Sequence, residues 1–236
     1  MSQSMIDLCE FVLKKAKSAG ADDCKVRFSH RRFVEVQYRE KKPETVKEAT
    51  TQGVDVDIYV DGRYSAQSTA DLRKEALGRF VTNVVETARL LEKDPFRSLP
   101  DPAYYQKRKA IDLAIYDPDY RTITPEKRHD MAKTIESSCL SAGGGKVISV
   151  TSQVYDDFRE ETVLTSNGFQ GETRSTVCYG FAEMTAQDEG DRRPNGYDYA
   201  VARSMSDLPA CETIGRQAAA RTFQLMGGKK LPTETL

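Results

Sequence analysis

The sequence is short of histidine, of net charge and of long apolar runs, and each shortage excludes a class of protein. Two histidines in 236 residues, His30 and His129, leave little for a metal centre or for imidazole general-base chemistry. Neither has a second histidine or a carboxylate three or four residues further along the chain, and both read as solvated. Thirty-five Lys and Arg against 36 Asp and Glu leave a net charge of −1, unlike the basic face that a phosphate backbone demands. No apolar run approaches the roughly 18 to 20 residues that cross a bilayer. Asp7 and Glu10 interrupt the first apolar stretch, which no secretory leader tolerates. The expectation is a soluble, cytosolic protein that engages neither nucleic acid nor membrane. The five cysteines are odd in number and widely spaced, with no CxxC pair, so neither a disulfide framework nor a short-spaced zinc site is expected. They read as buried, reduced thiols.

What is present is a foldable composition, 39% hydrophobic and 30% charged, long enough for one large domain or two small ones. Met5, Leu8, Cys9, Val12, Ala16 and Ala19 form one helical stripe that Gly20 ends. Period 2 then takes over: Cys24, Val26 and Phe28, next Val34, Val36 and Tyr38, then a polar run from Pro43 to about Thr51. Val54, Val56, Ile58 and Val60 follow, and Asp61-Gly62 predicts a two-residue type I′ hairpin. A helix is expected over 71–92 and a proline-rich connector over 95–121, with a short strand at 111–116. The pattern then restarts. Thr124-Pro125 opens a helix that stops at Gly143-Gly144-Gly145, strands follow around Ser166-Asn167-Gly168 and at 197–204, and a last helix spans 207–226 before an extended tail. Helix, antiparallel strands and helix in each half give an α+β fold, antiparallel sheets with helices on one face. Two sub-lobes, 1–94 and 122–228, are expected on either side of the connector.

No constellation announces chemistry. Cys24 and His30 lie about 20 Å apart along a strand, too far for a nucleophile pair. Gly143 to Lys146 lacks the upstream glycine and following Ser or Thr of a phosphate loop, and reads as a helix stop. Asp55 with Asp57, and Glu160 with Thr162, show the alternation of a strand with one wet face. The densest positive region holds Arg27, His30, Arg31, Arg32, Arg39, Lys41 and Lys42. It reads either as a solvated sheet face or as a contact surface for a peptide or subunit. No catalytic or metal-binding residue is assigned.

Two long stretches, GADDCKVRFSHRRFVEVQYREKK and TTQGVDVDIYVDGRYSAQSTADLRKEAL, resemble the N-terminal region of the TldD/PmbA family. The hairpin from Gly53 to Arg63 and the helix start Ser68-Thr69-Ala70-Asp71-Leu72 carry that likeness. Asp94-Pro95, Leu99-Pro100-Asp101-Pro102, Ser166-Asn167-Gly168, Gly196-Tyr197-Asp198 and Ala202-Arg203 extend it, and it ends on AAARTFQLMGGKKLPT. The resemblance implies an α+β N-terminal domain that a larger strand-rich domain follows in the family. TldD-type members are zinc peptidases with an HExxxH helix. PmbA-type members, also called TldE, lack it and partner TldD in cleaving unfolded peptides. The family is linked to maturation of a peptide antibiotic, to degradation of an antitoxin and, under an older label, to modulation of DNA gyrase. These 236 residues hold no HExxxH and nothing of the C-terminal domain, so no zinc or catalytic residue carries over, and zinc is expected only in that domain or in a partner. The GGKKLPT segment looks more like the PmbA type. The resemblance therefore implies a non-catalytic partner subunit, with a TldD-like sister or a second copy as partner and unfolded peptide as substrate. Arg27, Arg31, Arg32, Arg39, Lys41, Asp55 and Asp57 are its candidate peptide or subunit contacts. The N-terminal half of a TldD-like zinc peptidase and a stand-alone binding module are the alternatives.

Overall fold

The computed structural model describes residues 3–109 and 111–229. Helix α1 is Gln3–Ala19, strand β1 Asp23–Arg39, β2 Lys42–Val60, β3 Arg63–Thr69 and helix α2 Lys74–Arg89. After the connector come α3 Pro125–Gly143, β4 Val147–Thr165, β5 Gln170–Ala186, β6 Asn195–Ala202 and α4 Cys211–Gln224. The six strands form one antiparallel sheet in the order β3-β2-β1-β4-β5-β6, and the α+β expectation holds. Of the extended tail expected from Lys229 onward, all but Lys229 lies outside the described residues.

The chain divides into two compact units of interleaved segments. Unit 1 comprises 1–32, 50–113 and 159–174; unit 2 comprises 33–49, 114–158 and 175–236. Neither unit is a single stretch of the sequence. Strands β1, β2, β4 and β5 each contribute residues to both units.

In unit 1 the alternation of the strands sends every second side chain under α1 and α2. Val26 and Phe28 of β1 and Val54, Val56 and Ile58 of β2 bury against Cys9, Val12 and Ala16 of α1 and Leu77, Val81 and Val84 of α2. Asp61 and Gly62 take φ of 48° and 70°, the expected type I′ turn, and β2 pairs β3 from Val60↔Arg63 to Val54↔Thr69. Helix α2 starts three residues later than expected because Asp71 turns back on Arg73, its Oδ1 accepting from Arg73 N at 3.2 Å.

In unit 2, Val34, Val36 and Tyr38 of β1, Val150 and Val154 of β4 and Ala182 and Met184 of β5 pack on Ile135 and Cys139 of α3 and Ile214 and Ala218 of α4. Thr124 caps α3 by accepting from Lys127 N at 3.2 Å, and Pro125 fills the first turn, as the sequence predicts. A Cβ on Gly215 would meet Ile135 O and Cys139 N, so α3 and α4 approach closely there. Residues 111–116 are not a strand; Ile115 O accepts from Thr176 N at 2.8 Å. The two runs read from 24 to 39 are one continuous β1, and the polar run at 43–51 is the first half of β2.

Candidate functional site

The candidate contact residues fall into two groups, one per unit. On β1 and β2 within unit 1, Lys25, Arg27, Asp55 and Asp57 occupy the alternate positions that the helices do not cover. There they pair across the strands. Lys25 Nζ lies 3.0 Å from Asp57 Oδ2, and Arg27 Nε lies 2.9 Å from Asp55 Oδ2. Tyr64 Oη of β3 donates to Asp57 Oδ1 at 3.1 Å, and its ring lies 5.2 Å from that of Tyr59. Arg97 of the connector stands 4.8 Å over the Tyr64 ring. Burial, then Asp57, pushes the Tyr59 phenol up to about 12, so both neighbouring tyrosines remain neutral donors. Arg31 and Arg32 continue β1, half-buried.

Arg39 and Lys41 belong to unit 2 and sit at the β1–β2 turn. Arg39 Nη1 lies 3.7 Å from Glu44. Lys41 participates through its main chain: its N–H donates to the buried Glu136 carboxylate of α3 at 2.9 Å. Glu40 and Lys41 both have positive φ, 54° and 63°, so this is a tight turn built without glycine. Burial holds the Glu136 carboxyl above its ordinary value. His129, expected to be solvated, is half-buried, with Nδ1 3.2 Å from Tyr38 Oη. Glu160 and Thr162, expected on a wet face, are buried, and Arg174 Nε lies 2.7 Å from Glu160.

Sequence reasoning missed three features. The first is a cavity of about 310 Å³ within unit 1. Lys25, Tyr59, Val163 and Thr165 of the strands line it together with Asn167 and Phe169 of the β4–β5 turn. Leu99, Pro100 and Tyr105 of the connector close it. The apolar residues inside a proline-rich segment were its signal. The second is a ladder of rings in unit 2. Tyr179 and Phe181 of β5 lie about 6 Å from Tyr199 and Tyr197 of β6 respectively, and Tyr197 and Tyr199 are half exposed. The alternation Tyr197-x-Tyr199-x-Val201 announces it. The third, a buried ion pair between Arg128 and Asp156, has no signal in the sequence.

The thiols are poor nucleophiles. Burial pushes Cys24, Cys139 and Cys178 up to about 12 and Cys9 to about 11. Among the described residues no three His, Cys, Asp or Glu side chains are gathered to hold a metal, and no helix is long and apolar enough to cross a membrane.

Fold and site together define an α+β sheet protein with helices over its two main cores and cross-strand ion pairs beside an apolar cavity. Comparison with known proteins gives it a family. The PmbA/TldA metallopeptidase domain 1 matches residues 24–88, and the PmbA/TldA metallopeptidase central domain matches residues 118–225. The chain belongs to the PmbA/TldD family. Metalloprotease PmbA of Escherichia coli O157:H7 is 25% identical over 221 residues, 94% of this chain and 48% of that protein. The chain thus spans about half the length of this curated relative. A solved structure from Bacteroides thetaiotaomicron, a candidate modulator of DNA gyrase, has a TM-score of 0.92 at 31% identity and covers 98% of this chain and 52% of its own. A counterpart from Thermotoga maritima gives 0.79 at 20% identity, covering 97% of this chain and 50% of its own. TldE from Thermococcus kodakarensis gives 0.74 at 16% identity, covering 92% and 47%. The last two are similar in fold.

Proposed function

We propose that this chain is the peptide-handling, non-catalytic portion of a PmbA/TldE-like subunit, working in the cytoplasm beside a metallopeptidase partner that cleaves unfolded peptides. The observation that carries this reading is the pairing of the ionisable side chains on the β1–β2 face, Lys25 with Asp57 and Arg27 with Asp55. Carboxylates neutralised in this way are suited to a polar contact wall rather than to proton transfer. The raised thiols support the same division of labour, because a thiol held near 12 supplies almost no thiolate at neutral pH. Zinc, on this reading, is held by the partner or by the family's C-terminal domain. The test is incubation of the purified, zinc-supplemented chain with casein. No cleavage is expected, and hydrolysis that co-purifies with the chain through successive columns would overturn the assignment.

A further inference from the structure

The cavity of unit 1 is built for something more specific than a polar wall. We infer that it binds a single aromatic ring carried on a neutral amide backbone. The inference rests on the peptide-handling reading for the source of the ring, while recognition of the ring stands on the cavity alone.

A volume of about 310 Å³ sits at the small end of ligand sites, enough for one ring and its attached group. Three of its walls are rings. Tyr105 and Phe169 meet edge to face, with centroids 5.2 Å apart at 82°, and Tyr59 is the third. Such walls offer both ring edges and ring faces, the two surfaces an incoming aromatic prefers. The connector side is fastened in place: Tyr105 Oη donates to Asn167 O and Asn167 Nδ2 donates to Pro100 O, each at 2.9 Å. Thr165 Oγ1 donates to Asn167 Oδ1 at 2.7 Å and accepts from Phe169 N at 2.9 Å. These lining groups satisfy one another, so the site is preformed and asks little polar matching of its ligand.

Charge decides the rest. Among the described lining residues Lys25 is the one charged side chain, and Asp57 pairs with it at 3.0 Å, while the Arg108 guanidinium stands 5.0 Å over the Phe169 ring. A ligand carboxylate would add an uncompensated negative charge beside Asp57, whereas an amide adds none.

The chain contains no tryptophan, so indole fluorescence reports the ligand alone. The probes are N-acetyl-tryptophanamide, N-acetyl-tryptophan and the capped peptide Ala-Ala-Trp-Ala-Ala. A saturable blue shift is expected for the amide, with binding about fivefold or more weaker for the free acid. Val163→Phe, which fills the cavity, should abolish the shift while melting like the native protein. Tyr105→Leu, which keeps an apolar wall but removes a ring, should weaken binding about three- to tenfold and covers the case in which Val163→Phe does not fold. Tighter binding of the peptide than of the amide supports a peptide source. Binding of the amide without the peptide keeps the ring site and overturns the peptide source. No shift with any probe, or a shift unchanged in both folded variants, overturns the site itself.

Discussion

Replacing Arg128 by Met should be among the most damaging single changes in this protein, and the reason lies in what it leaves behind. Arg128 is 1% exposed, and its partner Asp156 is fully buried. The guanidinium grips the carboxylate with two nitrogens, Nε on Oδ2 and Nη2 on Oδ1 at 3.0 Å, and Nη1 donates to Ile123 O at 2.8 Å. Tyr120 Oη adds a bond to Oδ1 at 2.7 Å. Methionine fills much of the space but leaves a buried carboxylate with that tyrosine alone and the Ile123 carbonyl short of a donor. Breaking one side of such a pair costs about 3–5 kcal/mol. For a chain of this length that lowers the melting temperature by roughly 6–20 °C. The assay is urea unfolding at neutral pH followed by far-ultraviolet circular dichroism. The double variant Arg128→Met/Asp156→Asn removes the stranded charge and keeps an acceptor for Tyr120, and it should recover at least half of the loss. A single-variant cost below about 1 kcal/mol, or a double variant worse than the single, would refute the view that an uncompensated buried charge sets the penalty.

Glu136→Gln should change the pH dependence of stability. The folded carboxyl is held above 4.5, so its protonated form stabilises the fold below 4.5, and that contribution is lost as pH rises through the folded value. Glutamine still accepts from Lys41 N without a charge, so the variant should gain on the native protein across that window in denaturation series between about pH 4 and 8; a constant difference would count against it. Gly215→Ala should cost about 1–3 kcal/mol by forcing α3 and α4 apart, read as a lowered melting temperature. A thiol reagent at mildly alkaline pH should find Cys211, the one thiol not fully buried, well before the other four, and all five after denaturation. Rapid modification of Cys24 or Cys139 in the native state would contradict their burial.

Much of the fold was legible because the local signals agreed with the tertiary arrangement. The α1 stripe, the Asp61-Gly62 hairpin and the Thr124-Pro125 cap all lie where sequence places them. The turn at Glu40-Lys41 was hidden because neither residue advertises positive φ; Glu136, distant in sequence, supplies the bond that helps hold it. The first half of β2 does not announce itself as one strand with the second, because most of its side chains from Lys42 to Gln52 are exposed and no period shows. Of the candidate site, the polar face could be seen as alternating charge, but its partners could not. Lys25 and Asp57 are joined by strand register, and the cavity by a connector folding onto a turn some sixty residues away.

The interleaving of the two units bears on how the protein can be rebuilt. The chain passes between them five times, and four of those passages fall inside β1, β2, β4 and β5. No single segment of the gene encodes either unit, so neither can be exchanged for a homologous one by one recombination event. A chimaera swapping unit 1 would need five junctions, four of them within hydrogen-bonded strands where a one-residue slip turns every side chain over. Change in this region is therefore expected to proceed by point substitution rather than by shuffling of pieces.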